Sequence, residues 1–150
     1  MKKRIVFVGI LSMMMLGTTS TSCSSDDNGY EELTKGSVDV VVGTYVGTLN
    51  ANIVDADASV WYDAVILVTK DGEGRMKVSA QPGQPYSSVT PKTFTVESSY
   101  IYEDNTYDVL SLIGSLEGYF TYTGANKNLS IFTQKQSETD ISYSFEGTKQ

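Results

Sequence analysis

The chain has 150 residues, 40% of them hydrophobic and 19% charged, which fits one globular domain and excludes a disordered or multi-spanning protein. It has no histidine and one cysteine, which removes the commonest general base and metal ligand, any internal disulfide and any thiolate zinc cluster. Eighteen acidic residues against 11 basic ones give a net charge of -7, and phosphate backbones repel such a surface, so nucleic acid is not an expected partner.

Met1-Lys2-Lys3-Arg4 is basic, Ile5 to Gly17 is apolar, and Thr18 to Ser22 is small and polar, the order of parts in a secretory signal peptide. As a helix the apolar run spans roughly 20 Å, short of the roughly 30 Å bilayer core, so cleavage is expected in place of a permanent span. The region resembles a lipoprotein signal, in which a small residue, here Ser22, precedes a cysteine that is acylated, here Cys23; Ser20 stands where that signal usually has leucine. Residues 1–22 are thus read as a lipoprotein signal peptide. Its removal takes the 11 basic residues to 8, against 18 acidic, a net charge of -10 with no polybasic patch, so attachment to a membrane falls to the acyl chains on Cys23. Ser24-Ser25-Asp26-Asp27-Asn28 resembles the serine-and-acid signal that routes lipoproteins of Bacteroidetes to the cell surface, which implies an outer-membrane protein facing the exterior. Residues 23–37, polar and without an apolar period, are read as a lipidated flexible tether.

From 38 to 150 the pattern is that of short strands with period-two alternation, separated by turn chemistry. Val38 to Ile53 reads as a first long strand, with a change of parity at Gly43 that predicts a bulge or bend. Val60 to Lys70 is the second, with Val60, Tyr62, Ala64, Ile66 and Val68 on one face. Asp71-Gly72-Glu73-Gly74 is a hairpin turn into Arg75 to Ala80. Gln81 to Pro91 holds all three prolines and must be a loop, since proline cannot donate to a ladder. Thr93 to Ser99 follows with Phe94 and Val96 inward, then a turn over Tyr100 to Asn105. Tyr107 to Ile113 is open between strand and short helix. Leu116 to Thr123, Leu129 to Lys135 and Ile141 to Gly147 complete a set of about eight antiparallel strands, a number that closes into an up-and-down barrel and removes exposed edges.

Gly43-Thr44-Tyr45-Val46-Gly47-Thr48-Leu49 at the start of this domain and Tyr143-Ser144-Phe145-Glu146-Gly147-Thr148-Lys149 at its end resemble the calycin-like β-barrel domain of Bacteroidetes lipoproteins, related in shape to the lipocalins. The resemblance implies a small barrel and transfers no ligand-binding residues. Tyr45 stands where the lipocalin G-x-W signature has tryptophan, so no vitamin-like or haem-like cargo is implied.

Without histidine the expected role is binding and not catalysis, with no catalytic residue, no cofactor and no metal. Asp55, Asp57 and Asn52 place oxygen atoms close together but lack the glycine and distal glutamate of a calcium loop, and Glu103, Asp104, Asn105 and Asp108 do the same; both read as solvated acidic turns. Trp61, the only tryptophan, with its neighbour Tyr62, could form a stacking platform at the barrel mouth for a sugar or an apolar ligand. Tyr100, Tyr102, Tyr107 and Tyr119 could form an exposed aromatic strip suited to glycan. Two functions follow. The first is a module that holds a small apolar ligand in or at the mouth of the barrel; the second is a structural or adhesive accessory that meets glycan or other surface lipoproteins through tyrosines and loops.

Overall fold

The computed structural model describes residues 33–150, within a compact unit from Glu32 to Gln150; the expected signal peptide, Cys23 and residues 23–32 of the expected tether lie outside the described residues. Eight strands follow in sequence: β1 (Gly43–Ala51), β2 (Val60–Lys70), β3 (Arg75–Ala80), β4 (Lys92–Ser98), β5 (Val109–Ser111), β6 (Gly118–Thr123), β7 (Asn128–Thr133) and β8 (Tyr143–Lys149). Each pairs antiparallel with its neighbour in the chain, and β8 returns to β1, so the sheet is a closed up-and-down barrel, the architecture expected from the strand count. β2 and β3 have the residues assigned from alternation and turn chemistry.

The two ends of the domain meet at the closing seam. Tyr45 pairs with Lys149, Gly47 with Gly147 and Leu49 with Phe145. A methyl on Gly47 would collide with the Glu146 carbonyl, and one on Gly147 would press on the Phe145 ring and the Val46 carbonyl. The G-x-Y-x-G opening and the F-x-G-T-K ending are therefore one structural feature: two glycines facing each other so that the last backbone can approach the first.

One parity of nearly every strand points inward. Tyr45, Leu49, Ile66, Met76, Phe94, Phe120, Leu129, Ile131 and Phe145 all fall below 2% exposure or close to it. Phe94 and Phe120 lie with centroids 5.7 Å apart, and Tyr45 meets Tyr122 edge-on at 6.4 Å. An eight-stranded barrel is just wide enough to be filled by side chains, and this one is packed with them.

The proximal end, where β1 begins, is plugged by a 3-10 helix over Val38–Val41. This corrects the strand expected from Val38 onward. The alternation of valines is real, but the buried one is Val41, and the local backbone finds side-chain partners in place of a neighbouring strand. Ser37 caps the turn by accepting from the Asp39 amide, Lys149 Nζ donates to the Val40 carbonyl at 2.6 Å, and the Tyr45 hydroxyl donates to the Val41 carbonyl at 2.7 Å. Residues Thr34 to Ser37, expected within the tether, are hydrogen-bonded to the β4–β5 connection: Ile101 N donates to the Thr34 carbonyl, Gly36 N to the Ser99 carbonyl, and the Tyr107 hydroxyl to the Ser37 carbonyl.

The distal end is closed by the proline loop and the β7–β8 connection. Tyr86 and Val89 of the loop are 4% and 2% exposed. The Tyr86 hydroxyl accepts from the Val65 amide at 2.8 Å, and Thr90 exchanges hydrogen bonds with Ile141. Ile141, expected to open the last strand, belongs instead to this clasp.

The bulge sits at a different place from the one expected at Gly43. Between the pairs Gly47 with Ala64 and Leu49 with Trp61, β1 advances two residues and β2 three, so Tyr62 and Asp63 together oppose Thr48. The extra residue reverses parity. Trp61 therefore joins Leu49 on the inner side, whereas Tyr62, expected on the face of Ala64 and Ile66, is 74% exposed. Tyr107 to Ile113 resolves to the three-residue strand β5, and Leu116, expected to open the next strand, is 74% exposed ahead of β6.

Candidate functional site

The six aromatic residues singled out from sequence fall in three places. Trp61 lies at the distal mouth, half-buried, with its ring tilted against Tyr86 at a centroid distance of 5.7 Å. Tyr62 stands beside it on the outer wall. Tyr100, Tyr102 and Tyr107 belong to the β4–β5 connection at the proximal end. Tyr119 lies on the outer face of β6 near the distal end, opposite Phe132 of β7.

The proximal three differ in role. Tyr107 packs its ring over Gly36, where a Cβ would overlap it, so this tyrosine fixes the incoming chain. Tyr100 and Tyr102 are about half exposed, at 48% and 49%. The Tyr102 hydroxyl donates to Asp108 at 3.2 Å, and Asp108 also accepts from the Gly124 amide, tying two connections together. Asp104 accepts from both the amide and hydroxyl of Thr106, which hold its carboxyl below the usual range. These acids serve turn structure. Among the described residues no group of three or more acidic or cysteine side chains is placed to hold a metal ion.

At the distal mouth Trp61 borders a groove of about 350 Å³, with Asp55, Asp57 and Pro85 as further walls. Among the described residues Asp55 is one of three non-glycine residues with left-handed backbone, at φ 65°. Such a conformation costs on the order of 1–3 kcal/mol and is held by its surroundings; here Ala56 N donates to the Ile53 carbonyl and tightens the turn. The outcome is an apolar ring beside two carboxylates. A flat face with hydroxyls at its edge complements that pairing, because stacking takes the face and carboxylates accept from the edge.

Sequence reasoning passed over Lys92. It shares the inward parity of Phe94 and Val96, is 4% exposed, and its ammonium meets Asp140 at 2.6 Å and Gln136 at 3.1 Å. The parity was the available signal. Asp140 also accepts from the Gln136 amide and the Ser137 hydroxyl; the Lys92 contact, with these two, holds its carboxyl well below the usual range. Glu117, held low first by the Ser115 hydroxyl, faces the same lysine. This network pins the distal connections. It has the form of a clamp, with the buried ammonium held between Asp140 and Gln136. The interior phenols of Tyr45 and Tyr143 are pushed up by burial and stay protonated, so they supply no phenolate.

The fold defines a class: an all-β protein built as a closed eight-stranded up-and-down barrel, consistent with a calycin-like shape. Comparison with family models, curated proteins and solved structures finds no match for this chain.

Proposed function

We propose that this chain is a lipid-anchored, non-catalytic binding module of the outer membrane, of the calycin-like lipoprotein kind found in Bacteroidetes, and that it takes its ligand at the distal mouth and not inside the barrel. The observation that carries this reading is the filled interior. With the inward side chains packed and both ends closed by Val41 on one side and Tyr86 and Val89 on the other, the half-buried Trp61 and its groove offer an aromatic platform at the distal mouth. Asp55 and Asp57 make a purely apolar ligand a poor fit, so the ligand class that suits the site is a saccharide or another molecule with one flat face and hydroxyls at its rim.

Trp61 is the only tryptophan, so its fluorescence reports the site directly. Titration with a panel of neutral and amino-substituted oligosaccharides should shift or quench its emission, and Asp57→Asn should weaken the response. An unchanged spectrum across the panel, or an apolar metabolite copurifying in native mass spectrometry, would overturn the reading. The anchor is tested separately. Cys23→Ala should abolish palmitate incorporation and release the protein from the membrane fraction, and retention of the variant there would contradict it.

A further inference from the structure

Exposed apolar side chains gather on one sector of the barrel. At the proximal end the β4–β5 connection projects Tyr100, Ile101 and Tyr102, each more than a third exposed. At the distal end of the same sector the β5–β6 connection presents Leu112, Ile113 and Leu116; Ile113 is fully exposed, and no charged residue occurs from Val109 to Leu116. Tyr119 and its cross-strand partner Phe132 extend this wall, at 52% and 56% exposure. A groove of about 520 Å³, bordered by Leu110, Leu112, Tyr119 and Gln134, opens on it. Apart from Leu33, which leads into this sector, the other large hydrophobic residues exposed among the described ones are Val42, Val54 and Tyr62, scattered singly. Scattered residues of that kind are ordinary, whereas a gathered patch marks a surface meant to be covered.

The path of the chain says what covers it. Thr34 to Ser37 runs along this same sector, with Lys35 bridged to Tyr100 and its ammonium 3.6 Å from Glu97, a residue that borders the groove. From Leu33 back to Cys23 the chain spans at most about 35 Å when fully extended. A bilayer that holds Cys23 thus stays within about 35 Å of Leu33, where the chain enters this sector. The charges select the lipid. Glu103 is exposed beside the tyrosines, and the turn carboxylates of Asp104 and Asp108 add negative charge around them, which suits the ammonium of a zwitterionic headgroup, by contact with Glu103 and by cation–π contact with the rings, and disfavours anionic lipid.

We infer that the β4–β6 wall is a lipid-docking face, on which the barrel lies against a zwitterionic bilayer while the Trp61 mouth stays accessible at the distal end. The inference rests on the reading of Cys23 as the anchor point. Its geometry is a short lead of chain and a patch of uncharged apolar residues on one side, and it gives a tethered barrel a fixed orientation in place of free tumbling.

The test uses the chain from Cys23 onward, which contains the whole compact unit, coupled through Cys23 to phosphatidylcholine vesicles that carry a maleimide lipid. Attachment is then enforced whether or not the cell acylates this thiol, and acylation is read separately from the mass of the N-terminal peptide in native membranes. In the Trp61→Phe background, a single reporter is placed at Ile113→Trp, at Leu116→Trp, or, as control, at Tyr62→Trp on β2. On vesicles the reporters at 113 and 116 should shift to the blue and lose emission to brominated phosphatidylcholine, and the reporter at 62 should do neither. Equal water exposure of all three would overturn the inference. So would a shift that follows protein density and not lipid, which would assign the wall to a second copy of the chain, or a shift seen on anionic vesicles alone.

Discussion

Asp140 shows how a single carboxylate holds a connection in place. Lys92 is buried at 4% exposure with its charge compensated by Asp140, so removing the carboxylate strands an ammonium inside the protein. Asp140→Asn should lower the melting temperature markedly. Lys92→Met combined with Asp140→Asn should cost less than the sum of the two single changes, because the methionine leaves no charge to compensate. The pH dependence has a definite sign. The Asp140 carboxyl is held low in the folded protein, so it binds its proton less readily there than in the unfolded chain; its contribution is complete above the unfolded value of about 4 and drains away as the pH falls below it. Urea melts at neutral and acid pH should show a loss in the wild type that is smaller in Asp140→Asn. Tyr45→Phe is the gentler test. It removes the hydroxyl that satisfies the Val41 carbonyl and should cost on the order of 1 kcal/mol in the same melts.

Among the elements, the seam between β1 and β8 is the most sensitive to size. Gly47→Ala places a methyl against the Glu146 carbonyl, backbone that cannot step aside, and should destabilise by about 1–3 kcal/mol; chemical denaturation of the variant checks it. The elements also show what alternation reveals and what it hides. β2, β3 and the turn between them were legible because Ala64 to Val68 is an unbroken apolar run, Met76, Val78 and Ala80 alternate with polar residues, and two glycines mark the reversal. Tyr62 was misplaced because a bulge changes which side a residue faces without changing the residues, and it is set by how Leu49 and Trp61 meet across the sheet. Val38, Val40 and Val42 alternate as in a strand, but the Val41 carbonyl is satisfied by the Tyr45 hydroxyl and the Val40 carbonyl by Lys149, the latter too far along the chain for a local pattern to show. Of the candidate site, Trp61 could be named from its rarity. Its half-burial against Tyr86 depends on a proline loop folding inward, which a run of prolines does not announce.

At the scale of the whole molecule, the packed interior has a direct test. Phe120→Ala removes a ring that meets Phe94 at the centre of the barrel and should cost about 3–5 kcal/mol in denaturant melts. The cavity left behind is lined by apolar groups, so the variant should take up benzene or xenon where the wild type does not, and matching uptake by both would mean that the wild-type barrel is hollow.

Tyr45 pairs with Lys149, so the wall can close only after nearly the entire barrel segment has been synthesised. Pairings between such distant parts of a chain are slow to form. On the proposed export across a membrane that delay is useful: the nascent chain stays threadable during transit, and the strand that shuts the barrel comes late in the sequence that passes through.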